Sequence, residues 1–218
     1  MATPKATSKP KKTAGTGKSP TGHAEKAATF ADFLLARAPA EDIAGYTRAD
    51  LERAAGLARK AVARHRKGDS VVAVDAASGV MRDGRAVTVI TVVNDNMPFL
   101  FDSLLAEITE DFSEPYLVTH PVIAVKHGKS GVDEILGDAG FARNDPAHDR
   151  LSVVHVHVGR LGEEEAAALA GRLERVLRQV RAAVTDWKPM LARLDQAISE
   201  FRYAPVPLDK GHVTEAIA

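Results

Sequence analysis

The chain contains no cysteine in its 218 residues. Disulfides, thiolate catalysis and cysteine-ligated zinc are thereby excluded. It has no excess of charge, with 29 Lys and Arg balanced by 29 Asp and Glu. A nucleic-acid-binding domain is normally basic, so no nucleic-acid partner is expected. No apolar run approaches the roughly 18 residues that a membrane span requires, and no signal-peptide core follows the N-terminus. The expectation is therefore no membrane partner and a cytoplasmic location. A Gly-x-Gly-x-x-Gly turn following a strand is also missing, so the residues offer no dinucleotide site. What remains is 45% hydrophobic residues, enough for one globular core with appendages.

That core is organised around Val87 to Lys126. The β-branched run Val87 to Val93 reads as a strand buried on two sides. The polar turn Asn94-Asp95-Asn96 follows, and Pro98 falls where a helix can begin. Leu100, Leu104 and Ile108, with Phe101, Leu105 and Phe112, give that helix a broad apolar face. A second strand is read over Tyr116 to Lys126, and Pro121 within it points to a sheet edge. Residues 127 to 150 read as a long loop. The alternation Leu151 to Val158 gives another strand, and Glu163 to Trp187 a long helix that Pro189 breaks or kinks before a last piece ending near Tyr203.

Upstream, residues 1–22 carry five lysines and no acid and form a basic tail expected to be disordered. Their Gly15-Thr16-Gly17-Lys18-Ser19 resembles the end of a phosphate loop, but Lys12 stands where the pattern needs glycine. Residues 23–69 form a helical lead-in. Its second helix is opened by Thr47 and Asp50 in a capping arrangement, and its apolar stripe runs through Leu51, Ala54, Ala55, Ala58 and Val62. Ser70 to Asp75 is a short strand, and Asp83-Gly84 marks a turn. Residues 70–203 form one α+β domain, and 204–218 a linker with the start of a truncated next segment. The order after Val87 predicts a ferredoxin-like two-layer sandwich with an antiparallel sheet. In it 70–75 fills one edge, 87–93 and 151–158 are central, and 116–126 forms the other edge.

Three places carry candidate chemistry. Asn94, Asp95, Asn96 and Pro98 lie between a strand and a helix N-terminus, where free backbone N–H groups suit an anion or an amino-acid carboxylate. The plainer expectation is that Asn94, Asp95 or Asn96 caps the helix. His155 and His157 alternate onto one face of a strand, with His120 on its neighbour, which could make a zinc-binding module. No further ligands are evident, and a sheet face left uncovered by the chain's own helices is the alternative. Trp187 beside Pro189 reads as a packing anchor. No catalytic residue and no metal ligand is assigned.

The run Val93-Asn94-Asp95-Asn96-Met97-Pro98-Phe99-Leu100-Phe101-Asp102-Ser103, then His120-Pro121-Val122, then Val180-Arg181-Ala182-Ala183-Val184-Thr185-Asp186-Trp187-Lys188-Pro189-Met190, resembles the N-terminal region of the large bacterial NAD-specific glutamate dehydrogenases. The resemblance covers roughly Phe30 to Tyr203. It implies an ACT-like domain with regulatory or assembly function. The family's catalytic domain lies far downstream, and there NAD serves the conversion of glutamate to 2-oxoglutarate and ammonia. It implies that this chain is a fragment, inactive alone and without a bound cofactor. Its partners would be the remaining domains of the same enzyme and a second copy in a homo-oligomer. Phe99 stands where amino-acid-binding ACT domains usually carry a small residue, often Gly. A phenyl ring there is expected to fill the space a ligand would need. A free-standing amino-acid-sensing module of the ACT type is the alternative reading.

Overall fold

The computed structural model describes residues 29–112, 114–140 and 148–203. The basic segment 1–22 and the segment 204–218 lie outside them. Three helices come first: α1 (Phe30–Leu35), α2 (Ala40–Ala44) and α3 (Arg48–Arg64). Thr29 and Asp32 form a reciprocal capping box at α1. Thr47 caps α3 by accepting from the Asp50 N–H at 3.2 Å, as the sequence indicated. The Asp50 carboxylate accepts from the Thr47 hydroxyl in return and also reaches a neighbouring element, accepting from the Met81 N–H at 3.0 Å.

The strands are β1 (Ser70–Asp75), β2 (Met81–Arg82) and β3 (Arg85–Asp95), followed by α4 (Leu100–Asp111). Then come β4 (Leu117–Thr119), β5 (Val122–His127), β6 (Val132–Asp138), β7 (Asp149–Gly159) and finally α5 (Glu163–Tyr203). The sheet is antiparallel in the order β1-β3-β7-β5-β6, with β2 on β3 and β4 on β7. Asp83 and Gly84, both at positive φ, make the tight β2–β3 turn that the Asp-Gly pair predicts.

The α+β class, the antiparallel sheet and the central β3–β7 pair are as expected, and β1 does take the edge beside β3. The other edge differs. Pro121 divides the expected strand 116–126 in two, and only its first part, β4, lies at an edge. Its second part, β5, is covered by β6, which falls in the region read as a loop. Gly131, Gly137 and three acids in and around β6 hid the strand, and its pairing is interrupted by bulges opposite Val125 and His127.

Alternation along β3 and β7 assigns their two faces. Ile90, Val92, Val154, Val156 and Val158 pack against Leu100, Leu104 and Ile108 of α4 and Leu169, Leu173 and Leu177 of α5. Val93, Leu151 and Val153 pack against Ala55, Ala58, Ala61 and Val62 of α3. Alanine on this side of α3 lets the helix lie close to the sheet. The helices read as a lead-in therefore cover the second face and add a third layer, so that face is not left open. The last helix is not broken at Pro189; it continues through it as one helix of 41 residues. Among the described residues no helix is long and apolar enough to cross a membrane.

Candidate functional site

The strand–helix turn at the end of β3 is built from both faces of the sheet. Asn94 is still in β3, opposite Ser70 on one side and Ser152 on the other. This gives a polar row across three strands, facing α4 and α5. Asn94 is fully buried. Its Oδ1 accepts from Ser70 Oγ at 2.6 Å and from Arg181 Nη2 at 2.8 Å, and its Nδ2 donates to the Asp95 carbonyl at 2.7 Å. Arg181, in the middle of α5, also donates to the Gly68 and Asp69 carbonyls and to Ser70 Oγ.

Asp95 points to the opposite face, where its carboxylate accepts from the Gly68 N–H at 2.9 Å. Asn96 accepts from Ser152 Oγ at 2.9 Å, and its N–H donates to the Arg150 carbonyl at 3.0 Å. With its proton directed to Asn96, Ser152 receives the N–H of His120 Nε2 at 3.2 Å. His120 stacks on Phe101 with the rings 4.7 Å apart and 3° from parallel. Burial pushes the His120 pKa down, with Asp102 opposing it.

The capping expectation is overturned here. Asn94 and Asn96 turn back onto the strands, Asp95 turns to the Gly68 N–H ahead of β1, and α4 has no side-chain cap. The reason is register: Asn94 and Asp95 are still paired in the sheet, and the helix begins only at Leu100, out of their reach. Pro98 precedes the helix instead of opening it. The N-cap position is Phe99, at φ 64° and ψ −5°. That is the left-handed region where glycine is at ease, which accounts for the small residue usual at this place. Phe99 itself is 70% exposed. It borders a groove of about 390 Å³ with Ser103, Val176, Gln179, Val180 and Ala183.

The histidines divide into two groups. His155 and His157 face α3 and are fully buried. Their Nε2 atoms lie 3.0 Å apart, while His155 Nδ1 meets Thr91 Oγ1 at 3.0 Å and His157 Nδ1 meets Tyr46 Oη at 3.0 Å. A linear chain Tyr46 to His157 to His155 to Thr91 satisfies every ring nitrogen with both rings neutral. Burial pushes the His157 pKa down to about 4 and that of His155 well below its ordinary value. His120 lies across the sheet and does not join them. Among the described residues no group of three or more His, Asp or Glu is gathered to hold a metal ion.

Another chain ties α3 to the sheet. His65 Nδ1 lies 3.0 Å from His127 Nε2, and His127 Nδ1 lies 2.9 Å from Asp149 Oδ2. The ammonium of Lys67, 2.6 Å from Asp149 Oδ1, and after it His127 hold the Asp149 carboxyl below its usual range.

Sequence reasoning missed Arg181, Ser70 and Ser152 as partners of the turn. Arg181 lay within a motif already singled out, but only the fold brings it to Asn94. Trp187, read as a packing anchor, is 60% exposed.

The model of the glutamate dehydrogenase ACT1 domain family matches residues 30–173. The NAD-specific glutamate dehydrogenase of Halomonas elongata is 31% identical over 132 residues, which take in 60% of this chain and 8% of that protein. The chain thus spans only a small part of the length of this curated relative. No solved structure matches.

Proposed function

The chain belongs to the glutamate dehydrogenase ACT1 domain family, and from that premise we propose that it is a non-catalytic assembly and regulatory domain of a large NAD-dependent glutamate dehydrogenase. One observation carries this reading. The turn that could have received a ligand is used internally, with Asn94 buried and bonded to Ser70 and Arg181. Such a site joins elements and performs no chemistry. Hydride transfer from glutamate needs a dinucleotide fold and a base placed to take the ammonium proton. In this reading both come from the remaining domains of the same enzyme, in the cytoplasm.

Amino-acid sensing is the second reading. It draws on the uncapped N-terminus of α4, whose backbone N–H groups suit a carboxylate, and on the groove beside Phe99. Two measurements decide. An NADH absorbance assay with ample protein, glutamate and NAD is expected to show no turnover, and activity above background overturns the proposal. Calorimetric titration with glutamate and a panel of amino acids is expected to show no saturable heat. Binding that Phe99→Asp abolishes would favour the sensor.

A further inference from the structure

The 41 residues of α5 make a rod about 60 Å long at 1.5 Å per residue. Only its first half is used by this domain. On α5 the core clusters reach no further than Leu177, Val180 is the last buried residue, and from Thr185 onward the described side chains are exposed except for half-buried Ile198. The free half is nevertheless strongly patterned. Leading on from the buried Val180, the residues Val184, Trp187, Leu191, Leu194, Ile198 and Phe201 are spaced by four and three residues in turn, the interval of a two-helix seam. The seam that packs on the sheet thus continues, in phase, where no sheet remains. Asp186, Arg193 and Glu200 recur every seven residues on the outward face, and Pro189 also falls away from the seam. An amphipathic helix in water draws most of its stability from a packed apolar face.

Resting on the assembly reading above, we propose that the free half of α5 pairs antiparallel with the same segment of a second copy of this chain. The seam is self-complementary. A two-fold axis between Ala192 and Arg193 sets Leu191 against Leu194 of the second copy, Trp187 against Ile198, and Val184 against Phe201. Each large aromatic meets a β-branched residue, and Met190 flanks Ala197. Trp187, Met190, Leu194 and Phe201 are 60%, 62%, 56% and 42% exposed. With free aromatic side chains burying roughly 150–250 Å² each, two copies can remove on the order of 1,000 Å² from water, the size at which specific interfaces begin.

The absence of cysteine makes the test clean. Light scattering of the full chain is expected to give a dimer, and Leu194→Asp, a change at an exposed position, a monomer with unchanged helix content. Met190→Cys mixed with Ala197→Cys is expected to form a heterodisulfide on mild oxidation, and neither Trp187→Cys nor Phe201→Cys a homodisulfide, since the two-fold sets each far from its own copy. A monomeric parent, a dimer that survives Leu194→Asp, or crosslinking through Trp187→Cys or Phe201→Cys alone overturns the proposal. A monomeric parent that still binds the remaining polypeptide of the enzyme would overturn this pairing while leaving the assembly reading in place; NAD-dependent turnover by the chain would overturn that reading instead.

Discussion

Arg181, halfway along α5, donates to the Oδ1 of Asn94, the penultimate residue of β3, at 2.8 Å. The two residues are 87 positions apart and lie in the two longest motifs of the chain. The same guanidinium holds the Gly68 and Asp69 carbonyls and Ser70 Oγ, so one side chain ties α5 to β1, to β3 and to the segment after α3.

Arg181→Ala is expected to destabilise the domain by about 1–3 kcal/mol, since it strips a charged donor from a buried amide. Arg181→Lys keeps the charge but not the planar fork and is expected to recover only part of the loss. Urea unfolding of the variants measures both. Equal stability of all three proteins would mean that this link carries no weight.

The buried pair His155 and His157 sets a pH dependence. Both are neutral in the folded chain, with His157 held down to about 4 by burial, while in the unfolded chain each titrates near 6.5. Above about pH 7 neither state takes up a proton, and the pair contributes no slope. As pH falls from about 6.5 toward 4, the unfolded state binds more protons, and stability declines. For His157 alone the loss is on the order of 3 kcal/mol. Unfolding curves between pH 8 and 4 should show this decline, and the double variant His155→Gln with His157→Gln should show much less of it.

Phe99 offers a gain. Its left-handed backbone costs a non-glycine residue roughly 1–2 kcal/mol, and its exposed ring returns little packing within the domain. Phe99→Gly is expected to leave stability unchanged or raise it by up to about 1 kcal/mol, after allowing for the greater freedom of glycine when unfolded. A substantial drop in the thermal midpoint would show that the ring is packed more firmly than its exposure indicates.

Gly131 is the opposite case. A Cβ added there would lie 2.1 Å from the Ala63 carbonyl oxygen of α3, a backbone atom that cannot swing aside. Gly131→Ala should push the β5–β6 hairpin off the helix and cost about 1–3 kcal/mol. Amide exchange in β6 is expected to quicken before that of β3 or β7.

The sequence by itself determined the elements with strong local signals. The Val87 to Val93 strand, the α4 row Leu100, Leu104 and Ile108, and the Thr47 cap all rest on periodicity or on contacts within four residues, so they are written in the chain. The motifs from Val93 to Ser103 and Val180 to Met190 likewise marked the family. Tertiary structure decided the rest. Whether Asn94 caps a helix or joins a sheet depends on β7, 58 residues away, which holds Asn94 in register with Ser152. Whether His155 and His157 face water depends on α3, whose alanines look unremarkable in the sequence but allow the close approach that buries both rings. The strand β6 became visible only through its pairing with β5, because a bulged edge carrying glycine and acids has no alternation to read. Local patterns record what a residue can do with its near neighbours, and the function of this turn was set by partners that only the fold supplies.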